Sequence, residues 1–466
     1  MEPPPTSFNH VVAMPYPARG HINPMLNLCK LLVNNNNNIL VTFIVTEEWL
    51  SFISSEPKPN NLSFRSIPNV LPSELIRSRD HFAFIEAIMT KMEEPFEEVL
   101  NILDHPPSII VYDTFLHWVV GVGTRKNIPV ASFWTTSASF FSILLHQHLL
   151  QQNDHYSVKI SENGDERVNY IPGVSSTRLA DLPFFHSNDS NQNKRLMQML
   201  LKGFKWFHKA QYLLFSSIYE LESQAIDTLK SKLSIPIYTI GPTIPYISLE
   251  NNPKPNTNNS YIEWLDSQPI GSVLYIAQGS YFSASSEQVD EIASALCESN
   301  VRFLWIARNE ASRLKQICGN MGLVLNWCDQ LRVLSHSSIG GFWSHCGWNS
   351  TKESVISGVP LLTFPISFDQ PFNSKMIVED WKVGLRVKEN VKGDVLVKKS
   401  EIVKLLSEFM DLDGELTKGI RERSRKLQKI CCDAIGDGGS ADTDLKAFIG
   451  DIIMHSSKFT HAHFLQ

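Results

Sequence analysis

Two groups of residues in this sequence have the types and spacing to do chemistry. The first is Ser344-His345-Cys346-Gly347-Trp348-Asn349-Ser350, which follows a short apolar run over 339–342 and precedes a helical pattern ending at Gly358-Val359-Pro360. Strand, tight turn and helix in that order place Asn349 and Ser350, both strong N-cap types, at a helix start. There the free N–H groups of the first turn and the positive end of the dipole attract an anion. Glu353 lies four residues after Asn349, on the same helix face and roughly 6 Å along the axis. A nucleotide separates its ribose hydroxyls from its diphosphate by a comparable distance, so a phosphorylated ligand fits the pattern.

The second group is far upstream. His21 follows a short apolar strand over 11–14, in the loop Pro15-Tyr16-Pro17-Ala18-Arg19-Gly20-His21-Ile22-Asn23, just before a helix expected over 24–33. In an open α/β sheet, ligands bind where loops leave the C-terminal ends of strands. A second parallel-type strand over 108–112 ends in Asp113, on the same edge. Its carboxylate suits an Nδ1–H bond that orients the imidazole as a general base. His21 suits a capping or solvated loop position equally well, and Asp113 a helix N-cap, so both readings stand at this point.

The elements that must position these groups alternate as strand and helix in both halves of the chain. Strands are expected over 11–14, 39–45, 108–112, 129–133, 212–216 and 237–240, then over 272–277, 302–307, 322–326, 339–342 and 361–364. Helices are expected over 24–33, within 75–104, over 286–299 and 311–318, and beyond about 395. Two such series predict an α/β protein of two doubly wound domains facing across a cleft. The expected division is an N-terminal domain over 1–245, a polar, proline-bearing linker over 246–260, a C-terminal domain over 261–445, and a segment over 446–466 that can return to the first domain. The tail from His455 is expected to be mobile.

A length of 466 residues suits two domains of roughly 200 residues each. Hydrophobic content of 43% with 19% charged residues describes a globular chain, and a net charge of -6 leaves no footprint for nucleic acid. No run is long and apolar enough for a membrane span, and the N-terminus lacks a signal-peptide pattern, so a cytoplasmic protein without membrane or nucleic-acid partners is expected. Seven scattered cysteines without paired spacing support neither a disulfide framework nor zinc. The lone Asp411-Leu412-Asp413 falls in a late polar turn, and no metal is expected there. Gly121-Val122-Gly123 lies in a helical stretch without a third glycine, which argues against an NAD-dependent oxidoreductase.

Residues 327–370 carry Trp327 at the start, His345-Cys346-Gly347-Trp348-Asn349-Ser350 in the middle, Glu353, Gly358-Val359-Pro360, and Asp369-Gln370 at the end. In that order and spacing they resemble the signature box of plant secondary-product UDP-sugar glycosyltransferases. Gly20-His21, Tyr170-Ile171-Pro172-Gly173, Glu220-Leu221-Glu222, Ile240-Gly241-Pro242 and Gly279-Ser280 are similar to further segments of that family. The resemblance implies the GT-B fold of two Rossmann-like domains. It also implies an inverting, metal-independent transfer with a UDP-sugar, UDP-glucose above all, as co-substrate and no cofactor.

Carried over position by position, the resemblance implies that Trp327 stacks on uracil, with Cys328 beside it, and that Gln330 contacts the uridine. Glu353 would hold the ribose hydroxyls, while His345, Gly347, Asn349, Ser350 and Ser280 hold the diphosphate. Trp348, Asp369 and Gln370 would grip the sugar, with Gly20 and Thr135 reaching the donor from the first domain. His21 is then the expected base and Asp113 its orienter. The acceptor would be a small lipophilic molecule, such as a phenolic, an aromatic acid or a terpenoid alcohol. Its expected contacts are Phe82, Phe115, Leu116, Trp134, Phe184 and Phe185, all of which suit a core equally well.

Three segments depart from the family pattern: Cys328-Asp329 replaces a common Ala-Pro, Gln278 a frequent Phe, and Ala18-Arg19 a Gln-containing approach to Gly20-His21. A monomer that closes its domains during catalysis is expected. The alternative is a sugar-nucleotide-binding protein without transfer activity.

Overall fold

A computed structural model describes residues 8–74, 81–155, 163–183, 191–245, 260–279, 285–307, 310–319, 321–388 and 396–463. Ser280, Phe184, Phe185 and the expected linker short of Ser260 lie outside the described residues. The strands are β1 (Asn9–Met14), β2 (Ile39–Thr46), β3 (Leu62–Ile67), β4 (Ile109–Asp113) and β5 (Val130–Trp134). A short antiparallel pair, β6 (Arg167–Val168) and β7 (Thr177–Arg178), precedes β8 (Tyr212–Phe215) and β9 (Ile237–Thr239). The rest are β10 (Val273–Ala277), β11 (Arg302–Ile306), β12 (Leu323–Leu325), β13 (Ile339–Ser344), β14 (Leu361–Thr363) and β15 (Gly384–Arg386).

The chain divides into two compact units, one of Met1–Leu145, Ser187–Thr243 and Ala434–Gln466, the other of His146–His186 and Ile244–Asp433. The first holds a seven-stranded sheet in the order β3-β2-β1-β4-β5-β8-β9, every pair parallel. Central strands β1, β4 and β5 are buried along their whole length, which is why each reads as a near-continuous apolar run. The strand order reverses between β1 and β4, and a doubly wound sheet opens its ligand crevice beside the C-terminal ends of such a pair.

The last helix, Ser440–His463, belongs to the first unit. Tyr238 donates to Asp451 at 2.6 Å, the Thr239 N–H donates to Asp444 at 2.7 Å, and Phe448 packs 5.7 Å from Tyr212. The backbone stays helical through His455 to His463, where a mobile tail was expected.

The second unit repeats the plan with six parallel strands in the order β12-β11-β10-β13-β14-β15, reversing between β10 and β13. One buried cluster includes Leu274, Phe303, Trp305, Trp343 and Phe409; another includes Tyr275, Leu304, Phe342 and Leu361. Alternation along β10 sends Leu274 and Tyr275 to opposite faces, as the period of a strand requires. No helix among the described residues is long and apolar enough to cross a membrane.

Against the expected boundary at 245, residues 146–186 cluster with the second unit. Buried charge accounts for this. Asp181 accepts from Arg178 at 2.9 Å and from Arg386 at 3.0 Å, and Arg386 also reaches Glu379 at 2.8 Å. Glu379 in turn accepts from Arg167 at 2.8 Å, and Lys375 bonds both Ser175 and Asp380. Burial, only partly offset by Arg178, pushes the Asp181 carboxyl up to about 6. Arg386→Ala is expected to destabilise the unit by about 3–5 kcal/mol, because one partner of a buried pair remains uncompensated. A lower urea midpoint near neutral pH, recovering as acid protonates Asp181, is the result to look for.

Candidate active site

In the first unit the helix after β1 spans Arg19–Asn35, starting one turn earlier than its sequence pattern suggested. Pro24 misled that reading: a proline usually marks the first turn of a helix, and here it is the sixth residue, already past that turn. His21 is therefore a residue of the first helical turn, not of the preceding loop. Its Nδ1 lies 2.7 Å from Asp113 Oδ2 and 2.9 Å from Thr135 Oγ1. Asp113, at the end of β4, is 1% exposed, and its other oxygen accepts the Phe115 N–H at 3.1 Å. A buried carboxylate on Nδ1 fixes the tautomer with its proton there, which leaves Nε2 as a base. The His21 side chain keeps 20% of its surface exposed.

Aromatic rings wall this dyad. Tyr16 lies 5.0 Å from the His21 ring and Phe115 6.2 Å, with Phe84 6.3 Å from Tyr16. Of the expected acceptor residues, Phe115 stands in this wall and Phe82 is half-buried nearby in the sequence. Leu116 is fully buried, and Trp134 lies behind Phe115 at 5.4 Å, packing on Phe141 and Phe204 while its indole N–H donates to the Ser137 carbonyl. Tyr16 and Phe84 were not among the residues expected beside His21; an aromatic residue in the His21 loop was the available signal for Tyr16. Thr135, expected to reach the donor sugar, has its hydroxyl on the His21 ring.

In the second unit, the helix Trp348–Ser357 follows β13 with Gly347 as its N-cap and no side chain capping it. Asn349 and Ser350 thus occupy the first turn and do not cap it, contrary to expectation. The reason is steric. A Cβ on Gly347 would stand 2.5 Å from His345 Nε2, and one on Gly279, at the end of β10 with φ +83°, would stand 2.8 Å from the same atom. The imidazole is slotted between two backbone segments that can carry no side chain, at the point where the strand order reverses.

Trp327 is 62% exposed, the only tryptophan among the exposed large hydrophobic side chains of the described residues. Beside it, Asp329 caps the short helix Gln330–Leu334 by accepting from the Arg332 N–H, and the Asp329 N–H points to the Tyr261 hydroxyl at 3.4 Å. Proline could not make that contact, so the departure from the family's Ala-Pro comes with its own partner. Burial pushes the Cys328 thiol up to about 12, which keeps it protonated and unreactive.

Gln330 donates through Nε2 to Ser350 Oγ at 2.9 Å and to Glu353 Oε2 at 2.5 Å, while its Oε1 accepts from the Tyr275 hydroxyl at 3.1 Å. Its side chain is an internal strut. Burial pushes the Glu353 carboxyl up to about 7, although the Gln330 amide and Lys352 act the other way. Trp348 is buried and packs toward Trp381, ring centroids 6.3 Å apart. Asp369 and Gln370 are buried as well; Asp369 accepts from Asn373 at 2.8 Å, and Gln370 Oε1 accepts the Ile366 and Ser367 N–H groups. With that oxygen occupied, the Gln370 amide has its N–H donors to offer a ligand. Asn373 also bonds the Cys346 carbonyl at 2.9 Å and was not anticipated.

The sequence model of the family described as UDP-glucoronosyl and UDP-glucosyl transferase matches residues 130–404, more than half of the chain. UDP-glycosyltransferase 87A1 of Arabidopsis thaliana is 49% identical, with 94% of this chain and 99% of that protein aligned. UDP-glycosyltransferase 87A2 of the same plant is 48% identical over 97% and 98%. Among solved structures, Medicago truncatula UGT71G1 complexed with UDP-glucose superposes with a TM-score of 0.79 at 27% identity, covering 96% of this chain and 99% of that one. A UDP-glucose: anthocyanidin 3-O-glucosyltransferase in complex with UDP gives 0.81 at 26% identity, covering 96% and 99%. Two Rossmann-like units and relatives of this kind agree on one conclusion: the chain belongs to the plant UDP-glycosyltransferases, enzymes of the GT-B fold.

Proposed function

We propose that this enzyme is an inverting O-glucosyltransferase that takes UDP-glucose as donor and a small lipophilic alcohol or phenol as acceptor. The observation that carries the reading is the His21–Asp113 contact of 2.7 Å at the strand-order switch of the first sheet, with aromatic rings on either side. His21 Nε2 takes the acceptor's hydroxyl proton as that oxygen attacks the anomeric carbon, and Asp113 stabilises the imidazolium that results. The new C–O bond forms on the face opposite the leaving UDP. An α-linked donor therefore gives a β-glucoside, and UDP departs with the electron pair of the broken bond.

The second unit grips the donor. Trp327 offers a stacking face for uracil, Glu353 accepts from the ribose, and the start of the helix Trp348–Ser357, with glycine at its N-cap, meets the diphosphate charge. Asp369 and the Gln370 amide suit glucose hydroxyls. Glucose as the sugar draws support from the two solved relatives, one complexed with UDP-glucose and the other named for it. The reading is tested by incubating the enzyme with UDP-glucose and a panel of phenols, alcohols and aromatic acids. β-Glucosides, identified by the anomeric proton coupling, are expected; α-linked products, or no UDP release with any acceptor by protein that binds UDP, would overturn it. Trp327→Ala should weaken UDP about 5- to 150-fold, the range of a lost stacking platform, as measured by calorimetry.

A further inference from the structure

Tyr275 lies in the middle of β10, 1% exposed, with its ring stacked 5.0 Å from that of Phe342 on β13. Nothing in a strand of the type VLYIA marks it as more than core. Its hydroxyl, however, ends in a directed chain of hydrogen bonds. Tyr275 Oη donates to Gln330 Oε1 at 3.1 Å and lies 3.5 Å from Cys328 Sγ, while the Gln330 amide donates to Ser350 and to Glu353. From the phenol onward the polarity runs one way: phenol to amide oxygen, amide nitrogen to carboxylate.

A glutamine side chain can flip, exchanging its oxygen and nitrogen at almost no steric cost. Flipped, Gln330 would set its oxygen against the Glu353 carboxylate, acceptor against acceptor. The Tyr275 hydroxyl adds to the cost of that orientation, because the amide oxygen is a stronger acceptor for the phenol proton than the Cys328 sulfur. Glu353 Oε2 is thereby committed to Gln330, and the carboxylate cannot rotate away. Its other oxygen is left to accept from a ribose hydroxyl.

We propose that Tyr275 and Gln330 are positioning residues for the nucleotide's ribose: through the Gln330 amide, the Tyr275 hydroxyl holds Glu353 in the orientation that distinguishes UDP from 2′-deoxy-UDP. The proposal rests on the reading of Glu353 as the ribose acceptor. Cys328, where the family commonly has alanine, sets a polarisable sulfur 3.5 Å from the phenol oxygen.

The test compares the affinities of UDP and 2′-deoxy-UDP for the full-length wild type, Tyr275→Phe, Gln330→Met and Glu353→Ala by calorimetry at a pH where Glu353 is ionised. A hydroxyl bonded to a charged carboxylate makes the wild type prefer UDP by about tenfold or more. Tyr275→Phe keeps the stacked ring, and it should reduce that preference severalfold by weakening UDP while leaving 2′-deoxy-UDP unchanged. Gln330→Met, at a partly exposed position, should do the same and serves if Tyr275→Phe does not fold. Loss of both affinities alike, or an unchanged preference in these two variants while Glu353→Ala abolishes it, overturns the relay and leaves the donor site standing. An undiminished preference in Glu353→Ala overturns the assignment of Glu353 itself.

Discussion

His21→Ala is expected to lower kcat for hydroxyl acceptors by about 100- to 10,000-fold, the usual contribution of a positioned general base, with UDP affinity nearly unchanged. The split between the two quantities carries the information. His21 sits in the first unit with its Nδ1 committed to Asp113 and Thr135, whereas Trp327, Glu353 and the helix Trp348–Ser357 belong to the second. Asp113→Asn gives the companion result. An asparagine that turned its amide N–H toward Nδ1 would stabilise the tautomer with the proton on Nε2, so activity should fall by a comparable order while the fold survives. Equal loss of UDP affinity in His21→Ala would make the residue structural and sink its role as base.

Affinity for UDP-glucose should rise as pH increases through about 7 and then level off, and Glu353→Ala should remove both the slope and about tenfold or more of the affinity. The diphosphate of UDP-glucose is a diester of constant charge across this range, so the slope reports the protein. Burial pushes the Glu353 carboxyl up from 4.5 to about 7, and the ligand-free protein binds a proton there that the unfolded chain does not. The sign follows from linkage. Between those two values the native state holds more protons, so the stability of the free enzyme falls as pH rises. Ribose hydroxyls donating to the carboxylate favour its charged form, and binding must release the proton. Calorimetry in two buffers of different ionisation enthalpy measures that release directly. A pH-independent affinity with no proton release would rule out Glu353 as the ribose acceptor.

What was legible in the sequence was whatever has a local signature. Buried parallel strands read as apolar runs, and β1, β4, β5, β10, β13 and β14 stand within a few residues of their expected places. Asp113 was legible because it ends such a run, and His21 because it follows one. β3 and β15 went unread, the first carrying an exposed Arg65 in its middle and the second only three residues long. The attachment of residues 146–186 to the second unit depends on Asp181 meeting Arg386, partners separated by 205 positions, and no pattern within either segment announces it. Tyr275 was unreadable for the same reason, since its hydroxyl acts on a residue 55 positions away.

The division of the chain also sets the rules for building hybrids. The polypeptide passes from one unit to the other after Leu145, His186, Thr243 and Asp433. A single splice near residue 245 would give the second unit of one relative the 146–186 segment of another, so that Asp181 would keep Arg178 but meet position 386 of a different chain. It would also strip β9 of the helix whose Asp444 and Asp451 hold Thr239 and Tyr238. A graft of acceptor specificity between such enzymes should respect all four seams, carrying the terminal helix with the first unit and leaving 146–186 with the second.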